Sequence, residues 1–166
     1  MKKLLVILSL LVFQTAHADC FILQDLATNS IIFQEGQCLK PVSPCSTFKI
    51  PLAMIGFDSQ ILQTPNKPIW QYDANFEQTS DFCLDSWKQA HDPSLWLKHS
   101  CVWYSQKLTT QLGMEKLQAY IDEFHYGNRD LSGNPGKQDG LTQAWLSSSL
   151  KISPSEQILF LSKFWK

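Results

Sequence analysis

The 166-residue sequence has no excess of positive charge: 14 Lys and Arg stand against 15 Asp and Glu, a formal net charge of -1. Neutralising a phosphate backbone takes clustered basic side chains, so no nucleic-acid partner is expected. Charge of either sign is scarce at 17% of residues, against 44% hydrophobic, which argues against a disordered tail, a collagen-like repeat or a coiled coil. No apolar run reaches the roughly 20 residues that span a bilayer, and there is no internal repeat or low-complexity linker. The intervals between Cys83, His91, His99 and Cys101 do not match the short Cys and His clips of a zinc site, so no metal is expected. Aromatic residues, by contrast, are plentiful. Six Trp and ten Phe imply a bulky aromatic interior or an aromatic-lined cleft.

The first 18 residues read as an address. Met1, Lys2 and Lys3 precede the apolar run from Leu4 to Phe13, and Ala16-His17-Ala18 is a small-x-small cleavage site. A secretory signal peptide over 1–18 is expected, with residues 19–166 forming one domain in the periplasm and no membrane contact after cleavage. Asp19 before Cys20 disfavours a lipoprotein. Cys20, Cys38, Cys45, Cys83 and Cys101 are then an odd number in a compartment where disulfides persist. At least one stays unpaired or pairs between molecules. Cys20 and Cys38 flank a hairpin-like stretch and are the favoured bridge, although spacing alone leaves the connectivity open.

Residues 20–26 and 31–34 are β-rich runs either side of Ala27-Thr28-Asn29-Ser30, which predicts an antiparallel hairpin. From Ser46, the positions Phe48, Leu52 and Ile55 recur at helical spacing up to Asp58. Pro51 lies past the first turn of that helix, so a kink or a 3₁₀ start is expected. Residues 59–94 read as loops with short helices, and Leu95 to Leu112 as one helix closed by Gly113. A further helix is expected from Met114 to Phe124, with Glu115, Asp122 and Glu123 in solvent. Tyr126 to Gly140 reads as a loop. Ser153, Pro154 and Glu156 form an N-cap, a first-turn proline and a capping-box acid, opening a last helix that still runs at Lys166.

Ser46-Thr47-Phe48-Lys49 is an S-x-x-K arrangement. Residues three apart share a helix face, so the Lys49 amine can lie beside the Ser46 hydroxyl and take its proton. A serine at a helix N-terminus also lies where backbone N–H groups point outward, a position suited to an oxyanion. The spacing carries little information alone, because a chain with this Ser and Lys content yields about one such match by chance. Ser148-Ser149-Leu150-Lys151 is a second match, in a polar run better read as solvated surface. Cys45 reads as a small buried side chain, and Ser105 as a surface or core hydroxyl.

With its flanks, Pro44-Cys-Ser-Thr-Phe-Lys-Ile-Pro51 resembles the active-site segment of class D β-lactamases, the oxacillin-hydrolysing serine enzymes. Ser100-Cys101-Val102 is similar to the family's S-x-V element, Tyr126-Gly127-Asn128 to its Y-G-N element, and Trp145 to the tryptophan near the active-site lysine. The motifs stand in the family's order. The resemblance implies an α+β penicillin-recognising serine hydrolase fold, a central antiparallel sheet flanked by helices plus a helical region. It implies β-lactam substrates and antibiotic resistance. Ser46 would be the nucleophile and Ser100 the proton relay to the leaving nitrogen. Lys49 would be carbamylated by CO2 and serve as general base, with no other cofactor. Phe48, Val102 and Trp145 would keep the lysine neutral by desolvation, and Tyr126, Gly127 and Asn128 would be architectural.

The family's third element, K-T-G or K-S-G, is missing from the sequence. The resemblance therefore implies a fold incomplete at its C-terminus, with exposed sheet edges and uncovered helix faces, and a stretch that does not turn over by itself. Three other readings remain: a β-lactam sensor acylated at Ser46 without turnover, a peptidoglycan transpeptidase, disfavoured by Val102, and an inactive fragment.

Overall fold

The β-branched and aromatic runs around Thr28-Asn29-Ser30 pair as an antiparallel hairpin, β1 (Cys20–Gln24) with β2 (Ile31–Gly36), in a computed structural model that describes residues 19–76 and 84–164. The signal-peptide residues and Cys83 lie outside the described residues. Cys20 pairs with Gly36 and Leu23 with Phe33, and a bulge after Leu23 leads into the turn. Asn29 there takes the left-handed conformation at φ 57° that short hairpin turns draw from Asn and Gly. Cys20 and Cys38 form a disulfide with Cα atoms 5.0 Å apart, the bridge that their flanking positions favour. It clamps the open end of the hairpin. All of β2 is exposed, and Phe21, Leu23, Ile31, Ile32 and Phe33 keep apolar surface in solvent.

A 3₁₀ turn, Cys45–Phe48, runs directly into α1 (Lys49–Asp58). The 3₁₀ start expected from Pro51 is therefore present: the proline lies in the first turn of α1, where N–H groups lack helical acceptors anyway. The expected single helix over 95–112 is two. α2 (Pro93–Lys98) is capped by Asp92, whose carboxylate accepts from the Leu95 N–H at 2.8 Å, and α3 (Val102–Leu112) starts after a break at residues 99–101. Ser100, in the break, has φ 53°. The apolar period crosses the break because α2 and α3 bury Trp96 and Trp103 in one core.

Gly113, at φ 84°, separates α3 from α4 (Met114–Phe124), whose Glu115, Asp122 and Glu123 are exposed as expected. α5 (Gly140–Gln143) packs on α3. The capping box predicted at Ser153 and Glu156 opens α6 (Pro154–Ser162). This helix closes sooner than expected, with Lys163 as its C-cap. Between α1 and α2 the described residues hold two short 3₁₀ turns, Ala74–Phe76 and Asp85–Trp87, and isolated β-bridges from Thr64 to Lys67 and from Trp70 to His91.

The core is aromatic. Trp96, Trp103, Trp145, Tyr104, Tyr126 and Phe48 are all fully buried. Trp96 stacks on Tyr104 with ring centroids 5.2 Å apart, and Phe48 stacks on Trp145 at 5.3 Å. Offset ring pairs of this kind add to the stabilisation from area burial by about 0.5–1.5 kcal/mol each.

Candidate active site

The segment before Ser46 is extended because it is stitched to a strand-like stretch a hundred residues on. Val42 and Ile152 exchange backbone hydrogen bonds of 3.0 and 2.9 Å. The Ser43 hydroxyl donates to the Trp145 carbonyl at 2.9 Å and accepts from the Ser147 N–H at 2.8 Å. The Cys45 N–H donates to the same Trp145 carbonyl at 3.0 Å. These bonds hold the turn in which Pro44 and Phe48 point inward and Ser46 faces out. Cys45 was expected to be buried and is exposed: at φ 45° it begins the turn on the solvent side.

Three residues on, where the helix brings the same face round, Lys49 is buried and its Nζ donates to Ser46 Oγ at 3.4 Å. Burial disfavours the ammonium and lowers the Lys49 pKa to about 8; charge on the thiols of Cys101 and Cys45 pulls it the other way. Phe48 and Trp145 supply stacked apolar rings beside this stretch, and Val102 is packed against the same core.

Ser100 reaches Ser46 from the opposite side. Its hydroxyl donates to Ser46 Oγ at 2.9 Å. The Ser46 hydroxyl thus meets an amine and a second hydroxyl, from positions 54 residues apart in the case of the two serines. Ser105 is a core hydroxyl: it accepts from the Trp96 indole N–H at 2.9 Å and joins α2 to α3.

Tyr126, Gly127 and Asn128 are a joint. The Tyr126 ring packs on Phe48 at 5.5 Å, and its hydroxyl donates to Gln157 Oε1 at 3.1 Å. Burial pushes that phenol up to about 12, so it stays protonated. Gly127, at φ 55°, lets the backbone approach the Lys151 carbonyl so closely that a Cβ would collide with it. Asn128 bonds Ser149 and Lys151 from both ends of its amide. The second S-x-x-K match lies at this joint: residues 148–151 are outside any helix, Lys151 bonds Asn128 through its backbone, and the Ser148 hydroxyl is buried where a solvated surface was expected. It forms no helical Ser–Lys pair.

Two features escaped the sequence reading. One is the Ser43 clasp, which no local pattern signals. The other is a histidine pair: His91 Nε2 and His99 Nδ1 are 3.1 Å apart. Among the described residues no group of three or more His, Cys, Asp or Glu side chains is arranged to hold a metal ion. No helix among them is long and apolar enough to cross a membrane.

Comparison with known proteins agrees with this geometry. Residues 20–166 match the family model described as the penicillin binding protein transpeptidase domain. Beta-lactamase OXA-9 of Klebsiella pneumoniae is 47% identical over 145 residues, 87% of this chain and 52% of that protein. Beta-lactamase OXA-1 of Escherichia coli is 42% identical over 146 residues, 87% of this chain and 50% of its own length. The crystal structure of the OXA-427 class D β-lactamase superposes with a TM-score of 0.79 at 51% identity, covering 87% of this chain and 57% of that one. The chain spans about half the length of the curated relatives it matches. The turn at Ser46, the buried lysine, the second serine and the Y-G-N joint thus lie on a penicillin-recognising fold, and the chain belongs to the penicillin binding protein transpeptidase domain family, with class D β-lactamases as its near relatives.

Proposed function

We propose that the protein is an exported serine hydrolase that opens the ring of penicillin-type β-lactams and so confers resistance to them. One observation carries the reading: Ser46 Oγ is contacted at once by Lys49 Nζ at 3.4 Å and Ser100 Oγ at 2.9 Å, with the lysine buried and its pKa lowered to about 8. At pH 7 a pKa of about 8 leaves about one amine in ten neutral, against about one in three thousand at the ordinary value. A neutral amine accepts the Ser46 proton through the contact that the ammonium makes as a donor. The Ser46 oxygen then bonds to the lactam carbonyl carbon and the ring C–N bond breaks. Ser100 hands its proton to the departing nitrogen and is reprotonated by Lys49, which gives up the proton it took from Ser46 and is neutral again. Hydrolysis of the ester by water frees Ser46.

The buried, partly neutral Lys49 between Phe48 and the core also fits reversible addition of CO2. The amine would add to the CO2 carbon and lose a proton to solvent, and the resulting carbamate, deprotonated at neutral pH, would supply an anionic oxygen as general base for acylation and for activating the hydrolytic water. Val102, next in sequence to Cys101 and packed against the core, would give the lysine an aliphatic neighbour where a polar one would favour the ammonium.

The test is turnover of a chromogenic cephalosporin by the full-length protein. Many turnovers per protein are expected, slower when bicarbonate is withheld, with a rate that rises with pH through about 8 as Lys49 loses its proton. One equivalent of acylation at Ser46 without turnover would make the protein a sensor. No acylation at all would overturn the reading.

A further inference from the structure

We infer that His99, held by His91, is a positioning residue that sets Ser100 against Ser46; the inference rests on the reading of Ser100 as proton relay.

The tautomers follow from the partners. His91 is fully buried, and its Nδ1 lies 2.9 Å from the Gln89 carbonyl, which can only accept. Nδ1 therefore carries the proton, and in the neutral ring Nε2 is left as an acceptor. The atom facing Nε2 is His99 Nδ1, at 3.1 Å, so His99 donates. The chain runs in one direction: His99 Nδ1–H to His91 Nε2, then His91 Nδ1–H to the Gln89 carbonyl. The His91 backbone is fixed in turn by two bonds of 2.9 Å with Trp70, and its ring meets the Trp103 ring edge-on at 5.6 Å.

What this chain holds is the residue immediately before Ser100. The His99 carbonyl is held as well, by the Trp87 indole N–H at 2.9 Å, and the Trp87 carbonyl accepts from the buried Trp103 indole at 2.9 Å. Ring and carbonyl of His99 are thus both tied to buried side chains, while Ser100 beside it takes φ 53°. A left-handed conformation in a non-glycine residue persists only where its surroundings hold it. The turn itself is closed by the C-terminal bonds of α2, Ser100 N–H to the Leu97 carbonyl at 3.2 Å and Cys101 N–H to the Trp96 carbonyl at 3.0 Å, and the rings of His91 and Trp87 tie that closed turn to the core. Without the histidine bond the turn loses one of its two side-chain ties and can shift as a unit, which would carry the Ser100 hydroxyl off its 2.9 Å contact with Ser46. Neither histidine touches the reacting atoms.

The measurement is acylation of full-length protein by a fluorescent penicillin, with the limiting rate separated from the half-saturating concentration. His99→Phe keeps the ring and removes the donor. His99→Asn returns an N–H near the position of Nδ1. His99→Phe is expected to lower the limiting rate about tenfold or more with the half-saturating concentration within about twofold, since the relay acts in the transition state. His99→Asn is expected to recover most of the loss. In a Ser100→Ala background, His99→Phe should add nothing, because its effect passes through Ser100. His91→Phe, which removes the acceptor and keeps a ring, is a second route should His99→Phe fail to fold: the same fall in limiting rate is expected, and an unchanged rate would overturn the inference. Equal rates for wild type and His99→Phe would overturn the inference, as would a loss that Asn does not restore or one that adds fully to Ser100→Ala. If Ser100→Ala acylates as fast as wild type, the relay reading of Ser100 fails, and the inference with it.

Discussion

Lys49 shows at the scale of one residue how function and stability pull apart. Its pKa is lowered to about 8 by burial, so between pH 8 and about 10.5 the unfolded chain binds the extra proton. Stability accordingly rises with pH across that window. Below it the cost of holding the ammonium in the fold is fully present, at most about 3 kcal/mol. Lys49→Met, of similar length and without charge, is expected to raise the unfolding free energy at pH 7 toward that limit in urea titrations. It should also flatten the pH dependence above 8 and abolish acylation of Ser46. A variant that lost stability would show that the lysine contributes packing or hydrogen bonds worth more than its desolvation costs.

At the scale of elements, the joint at Tyr126 to Asn128 is the most constrained piece of backbone beside the site. Gly127→Ala would bring both a side chain at φ 55° and a collision with the Lys151 carbonyl. A loss of about 2 kcal/mol or more is expected in equilibrium denaturation, together with slower acylation, because Tyr126 packs on Phe48, two residues from Ser46. Features of this scale were legible in the sequence where their cause is local. The S-x-x-K pair depends on three-residue helical geometry, the 3₁₀ start on Pro51, and the start of α6 on Ser153 and Glu156. The break before α3 was not legible, because apolar periodicity continues from Trp96 to Trp103 and no Gly or Pro marks residues 99–101. The His91–His99 pair was read only as a failed metal clip, since its bond spans a loop and a helix. The Ser43 clasp joins positions 102 apart, a distance over which residue patterns say nothing.

Across the whole molecule, helices and aromatic core are well buried while the hairpin is not. Its apolar side chains meet solvent on both faces, and the disulfide closes it at one end. For a bridge between residues 18 apart, chain entropy gives about 3 kcal/mol. Cys20→Ser with Cys38→Ser is expected to cost about that much in chemical denaturation, to fray β1 from β2 in hydrogen exchange, and to leave α3 protection unchanged. The clasp between residues 42–45 and 145–152 bears on the order in which these parts arise. Ser46 and Lys49 leave the ribosome early, but the strand-like stretch that shapes their turn comes a hundred residues later, and contacts of such separation form late in folding. A chain threaded unfolded across a membrane would therefore travel without a formed turn at Ser46, and that turn would close only once Trp145 and Ile152 had arrived on the far side.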